Sequence, residues 1–142
     1  MLVLTPHRLR GWPNIFWLAG ELMIQLSAHM RILVATSPLD MRKGIDGVAA
    51  YCRLLLSENP MSGAVFLFIS RSRRHIRMLT YDGQGFWLAT KRLSGGRFPH
   101  WPKAQGEGGA FMRQLEACQA QVLLHGGDPA LVRALTAWKK IA

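Results

Sequence analysis

Residues 64–70, "AVFLFIS", constrain the fold more than any other stretch of this chain. Six apolar residues run without a polar interruption and end at a serine. A half-exposed strand would alternate apolar and polar positions. An unbroken run of this length, rich in branched and aromatic residues, predicts a strand buried on both faces. Such a strand lies inside a sheet, with other elements covering it above and below. "RILVATS" (31–37) predicts a second short strand of the same kind.

Between the two lies "SPLDMRKGIDGVAAYCRLLLSENPMSG". Ile45, Val48, Ala49, Cys52, Leu55 and Leu56 recur at helical spacing. Ser37 is expected as N-cap, with Pro38 in the first position and Asp40 three residues after the cap. Asp46 then falls in a first helical turn, where its charge suits the dipole. After the buried run, "RSRRH" (71–75) predicts a basic turn and "IRMLTY" (76–81) a strand. "DGQG" (82–85) carries the Asp-Gly hairpin signal, and "FWLATKRL" (86–93) is the returning strand. "SGGRFPHWP" (94–102) is a loop. Beyond it, "KAQGEGG" (103–109) predicts a linker. Residues 110–126 predict an amphipathic helix ending at a glycine pair, and 128–140 a second helix with Asp128 as cap and Pro129 in the first position. The expected class is α+β: a small, mainly antiparallel sheet of strand, helix and three-strand meander, followed by two C-terminal helices. The expected divisions are an N-terminal extension (1–22), a basic core domain (23–102), the linker and a helical segment (110–142).

Charge limits the functions open to such a chain. Eighteen Lys and Arg against eight Asp and Glu leave a net charge of +10 over 142 residues. The excess is concentrated in residues 31–103, which hold twelve bases and four acids. An anionic partner is expected there, nucleic acid first. The two cysteines, Cys52 and Cys118, form no C-x-x-C pattern and read as buried thiols, which suits a reducing cytoplasm. Residues 1–22 carry two arginines before an apolar stretch. Pro13 and Glu21 interrupt it, and it falls far short of a membrane span.

Three stretches are candidates for a binding role. In "LDMRKGIDG" (39–47), Arg42 and Lys43 suit either phosphate contacts or plain surface charge. The glycines there allow close backbone approach, within the fold or to a phosphate. In "SRSRRHIRM" (70–78), Arg71, Arg73, His75 and Arg77 alternate, so in extended chain they share one face. With Arg74 they suit a phosphate backbone, or an edge defended by charge. In "KRLSGGRFPHW" (91–101), Lys91, Arg92 and Arg97 interleave with Phe98 and Trp101. The aromatics either stack on bases or a partner, or tuck onto the sheet. His75, His100 and His125 show no metal spacing, and no serine sits in a nucleophile elbow. No cofactor is expected. Asp40, Asp46 and Asp82 are the acids a metal-dependent nuclease would need.

In order, these motifs resemble the accessory proteins called TnpB or Orf2 in the insertion-sequence family numbered sixty-six. Members carry Thr-x-x-x-Asp-Met-Arg-Lys-Gly-x-Asp-Gly, matched here by Thr36, Asp40, Met41, Arg42, Lys43, Gly44, Asp46 and Gly47. A Tyr/Trp-Asp-Gly turn is matched by Tyr81, Asp82 and Gly83. A Lys-Arg-Leu-x-x-Gly-Arg-Phe segment is matched by Lys91, Arg92, Leu93, Gly96, Arg97 and Phe98, with Trp101 and Pro102 following. The likeness covers about residues 31–102. Residues 1–22 look additional to it. "ISRSRRH" stands where the family tends to have a glycine in the basic turn, and the tail beyond 103 matches only as a loosely helical segment. The resemblance implies a part in transposition beside a separate transposase that performs the chemistry. Joined to the residue reading, it gives a non-catalytic protein that binds DNA at element ends or the transposase–DNA complex. The expected contacts are Arg42, Lys43, Arg71, Arg73, Arg74, Arg77, Lys91, Arg92 and Arg97, with Phe98 and Trp101 adding stacking or a partner contact. The rival readings are an adapter that docks the transposase without DNA affinity, and the nuclease. No membrane association is expected.

Overall fold

The apolar run folds as its composition demands. A computed structural model describes residues 26–105 and 111–133. In it Val65–Ile69 form a strand, β2, whose five residues are all buried. Its parallel neighbour, β1 (Ile32–Ala35), is buried throughout as well. A parallel pair needs a crossover connection. The crossover contains α1 (Ile45–Leu54), which buries Val48, Ala49 and Cys52. Two further strands follow β2 in antiparallel order, β3 (His75–Tyr81) and β4 (Phe86–Arg92). A fifth, β5 (Met112–Leu115), pairs antiparallel with the other edge of β1. The sheet runs β4-β3-β2-β1-β5. A second helix, α2 (Ala117–Leu124), comes next, and then a 3-10 turn at Pro129–Leu131. The class is α+β, as expected.

Each face of the sheet has its own core. On one, Leu33, Ala35, Phe66, Phe68, Leu79 and Leu88 pack with Leu39 and the buried stripe of α1. On the other, Ile32, Val34, Val65, Leu67, Ile69 and Ile76 meet Phe98, Trp101 and the α2 residues Ala120, Leu123 and Leu124. Full burial of side chains this size contributes about 1.5–3 kcal/mol each.

Three expectations are corrected. First, α1 does not begin at Ser37. Its N-cap is Gly44, in extended conformation. The Leu39 amide donates to the Ile69 carbonyl (2.8 Å) and the Leu39 side chain is buried, so residues 37–43 run along the end of β2 instead of coiling. Second, residues 112–115 are a strand and not the first turn of a helix. The exposed edge of β1 offers backbone hydrogen bonds that a helix start does not provide, and tertiary pairing overrides local helix propensity. Third, Arg71, Arg73, His75 and Arg77 do not share one extended face. Arg73 adopts a left-handed backbone (φ +59°), so the chain turns there and only His75 and Arg77 lie in β3. In the second C-terminal segment, Asp128 accepts from the Ala130 amide and Pro129 follows it, as expected for a cap, but the expected helix from 128 is not formed in the described residues: the 3-10 turn stops at Leu131 and Val132 is extended. Residues 134–142 lie outside the described residues, as do 106–109 of the expected linker, residue 110 of the expected helix and all of the N-terminal extension.

Trp101 pins the loop after β4 to the sheet. Its indole Nε1 donates to the Ala35 carbonyl (2.8 Å) in a buried setting. Trp101→Phe removes that bond and some buried volume. Urea unfolding is expected to report a loss of about 1–2 kcal/mol. An unchanged midpoint would mean that the loop does not depend on this anchor.

Candidate nucleic-acid interface

The parallel register of β1 and β2 decides where the basic residues go. Both strands end on the same side of the sheet, so the loop after β1 (36–44) and the turn after β2 (70–74) emerge together. The antiparallel return of β3 and β4 brings the loop after Arg92 to the same end. Backbone bonds tie the three segments to one another. Leu93 donates to the Arg74 carbonyl (2.9 Å) and Phe98 to the Arg73 carbonyl (2.8 Å), while Leu39 holds the first loop to Ile69. Residues 36–44, 70–77 and 92–98 together hold eight Lys and Arg and one acid, Asp40. Arg42, Lys43, Arg71, Arg74, Arg92 and Arg97 are exposed, and Arg73 is half-buried.

The single acid is not free. One Asp40 carboxylate oxygen accepts from the Arg42 amide (3.0 Å), and the Arg42 guanidinium donates to both oxygens through Nε (3.2 and 3.3 Å) and Nη2 (3.0 Å). The side-chain bond from Arg42, aided by its amide, holds the Asp40 carboxyl below its ordinary 3.8, at about 2. The result is a short turn with Arg42 locked outward. Gly47 allows its close fit: a Cβ there would stand 3.3 Å from the Lys43 side chain. Of the motif glycines only Gly47 is tied to the loop's own packing, since a Cβ at Gly44 would meet open space. Met41 packs part-buried against the α1-side core.

Several expected contact residues are corrected. Phe98 and Trp101 are core residues, 1% and 4% exposed, and offer no face for stacking. Lys91 points to the other side of β4. Its Nζ donates to the Leu124 carbonyl at the end of α2 (2.6 Å) and lies 5.9 Å from the Phe98 ring centre. Arg77 is half-buried and donates to the Lys43 carbonyl, so it braces the first loop. Near it, His75 Nδ1, Arg77 Nε and Thr90 Oγ1 are buried without a hydrogen-bond partner among the described residues.

Asp40, Asp46 and Asp82 do not come together as a metal site among the described residues. Asp82 sits at the opposite end of the sheet, in the β3–β4 hairpin. It accepts from the Trp87 indole (2.6 Å) and from the Gln84 and Gly85 amides, which depress its pKa. Gly83 takes the positive φ that the turn needs (+96°), and Tyr81 stacks near Phe86 and donates to the Gly83 carbonyl. Asp46 is exposed in the first turn of α1. Among the described residues no three His, Cys, Asp or Glu side chains come together as a metal site. Burial pushes the Cys52 thiol up to about 11, which leaves it inert as a nucleophile at neutral pH. No described helix is long and apolar enough to cross a membrane.

Sequence reasoning missed β5 and a concavity of about 310 Å³ between the first loop and the basic turn, lined by Pro38, Leu39, Asp40, Met41, Arg42 and Arg71. No residue pattern announces it, because its walls come from segments about thirty residues apart.

A carboxyl-detected NMR titration is expected to put the Asp40 midpoint at about 2. Its folded-state pKa is depressed, so the ion-paired turn is intact above the ordinary value and is lost only as pH falls through about 2. Arg42→Ala is expected to return the midpoint toward 3.8. A wild-type midpoint already near 3.8 would show that Arg42 is not held.

Comparison with known proteins agrees with the resemblance. The family described as IS66 Orf2-like protein matches residues 30–134, so the match runs past the last motif through β5 and α2. An uncharacterised protein, y4hO, of Sinorhizobium fredii (strain NBRC 101917 / NGR234) is 39% identical over 106 residues, covering 75% of this chain and 88% of its own. A second from the same organism, y4jC, is 37% identical over 84 residues, covering 59% of this chain and 72% of its own. No solved structure matches. The chain belongs to the IS66 Orf2-like family, and its role is that of an insertion-sequence accessory protein.

Proposed function

We propose that this accessory protein acts without catalysis, by binding DNA at the basic end of its sheet and bringing it to the transposase of the same element. One observation carries the reading: three segments remote in sequence meet at one end with eight cations and a single acid, itself neutralised by Arg42. Like charges gathered this way repel one another, and only Arg42 and Arg77 are seen to serve the fold, through Asp40 and the Lys43 carbonyl. A polyanion relieves that repulsion and releases its counterions. The contact residues are Arg42, Lys43, Arg71, Arg73, Arg74, Arg92 and Arg97. Arg77 positions the first loop, and Lys91, Phe98 and Trp101 hold the scaffold.

Arg73 adds a local argument. A left-handed backbone costs a side-chain-bearing residue roughly 1–2 kcal/mol, and glycine escapes that cost. An arginine at such a position is retained for its charge, a reading in line with the use of strain at functional sites.

A second reading, an adapter bound to the transposase alone, draws on the exposed Leu54, Leu55 and Met61, an apolar surface away from the basic end. Binding to a labelled element-end duplex and a scrambled duplex across a salt series separates the two. Affinity is expected to fall with a slope near −0.9 per phosphate contacted. Arg73→Gly is expected to lower affinity and flatten the slope by about one phosphate, with thermal stability held or raised. Absence of binding at low salt would leave the adapter reading in possession.

A further inference from the structure

The concavity beside the first loop differs from the rest of the basic end. Elsewhere Lys43, Arg74, Arg92 and Arg97 are simply exposed side chains. Here a hollow of about 310 Å³ has both Arg42 and Arg71 among its lining residues. Its apolar walls are Pro38, Met41 and the buried Leu39. The one acidic lining residue is Asp40, whose oxygens accept from Arg42. A volume of that size accommodates a small planar ligand. A nonpolar floor with cations at the rim is the chemistry of a nucleotide, whose base prefers an apolar or guanidinium surface and whose phosphate needs a cation.

We propose that this hollow takes one unpaired nucleotide of the bound DNA. Its base lies against Pro38, Leu39 and Met41, and its phosphate lies between Arg42 and Arg71. The Asp40 carboxylate fixes the Arg42 guanidinium before the ligand arrives, which lowers the entropy lost on binding. Bases stacked in a duplex cannot enter such a hollow, so an unpaired or unstacked position is required. The preferred ligand is therefore duplex DNA carrying a flipped, frayed or single-stranded nucleotide. The inference rests on the DNA-binding reading above and narrows its ligand.

The test uses the full chain and three fluorescent duplexes of one sequence: fully paired, with one extrahelical nucleotide, and with that extra position abasic. Anisotropy titrations are expected to give about fivefold or tighter binding to the extrahelical probe than to the paired one. The abasic probe is expected to return to the paired affinity. Met41→Trp, which fills the hollow, is expected to shrink the ratio toward one. Equal affinity for all three probes would overturn the nucleotide pocket and leave duplex binding standing. A preference that survives in the abasic probe would overturn it too, since the protein would then be reading bent backbone. Failure to bind any probe at low salt would sink the DNA reading and the pocket with it.

Discussion

Burial of β1 and β2 on both faces is the constraint from which the other features follow. A strand covered above and below has no position for a charged side chain along its length, and these two carry none. Charge is therefore driven to the ends of the sheet. Because β1 and β2 are parallel, their C-terminal ends emerge side by side, and because β3 and β4 fold back as a meander, the loop after β4 arrives at the same place. The basic end is a consequence of topology. Strand order β4-β3-β2-β1-β5 brings together three segments that the sequence keeps apart.

The scaffold around that end is built to hold loops still. Trp101 and Phe98 anchor the last segment in the core, Leu39 anchors the first, and Arg77 braces it through the Lys43 carbonyl. The arrangement also carries costs: a left-handed arginine, buried polar atoms without partners among the described residues, and mutual repulsion of the cations. Under the proposed function, a bound polyanion would relieve the repulsion among the exposed cations. The opposite end also has a left-handed residue, Ser57 (φ +52°), but that residue carries no charge. Its hairpin is closed by Asp82, which satisfies two amides and an indole, and that motif reads as a structural one.

Much of this was legible in the residues. The two-sided strand, the apolar helical stripe running on from Ile45, the Asp-Gly hairpin and the α+β class all follow from periodicity and turn chemistry. The concentration of charge in residues 31–103, about half of the chain, was equally plain. The failures have physical reasons. Met112–Leu115 reads as helix by local spacing and becomes a strand because β1 has an edge to fill. Ser37 looks like a cap until Leu39 is drawn into the core. Phe98, Trp101 and Lys91 look like interface residues because composition cannot tell which way a loop side chain turns. The hollow beside Arg42 and Arg71 was invisible because it exists only after the first loop and the basic turn meet.

The account stands on convergence of those three segments into one DNA-binding surface. Amide chemical-shift mapping of the labelled protein during titration with a short duplex tests it most directly. Perturbations confined to residues 36–44, 70–77 and 92–98, with the 82–85 hairpin silent, are the predicted result. Shifts centred on the hairpin or on Leu54, Leu55 and Met61, with the basic end unmoved, would contradict it.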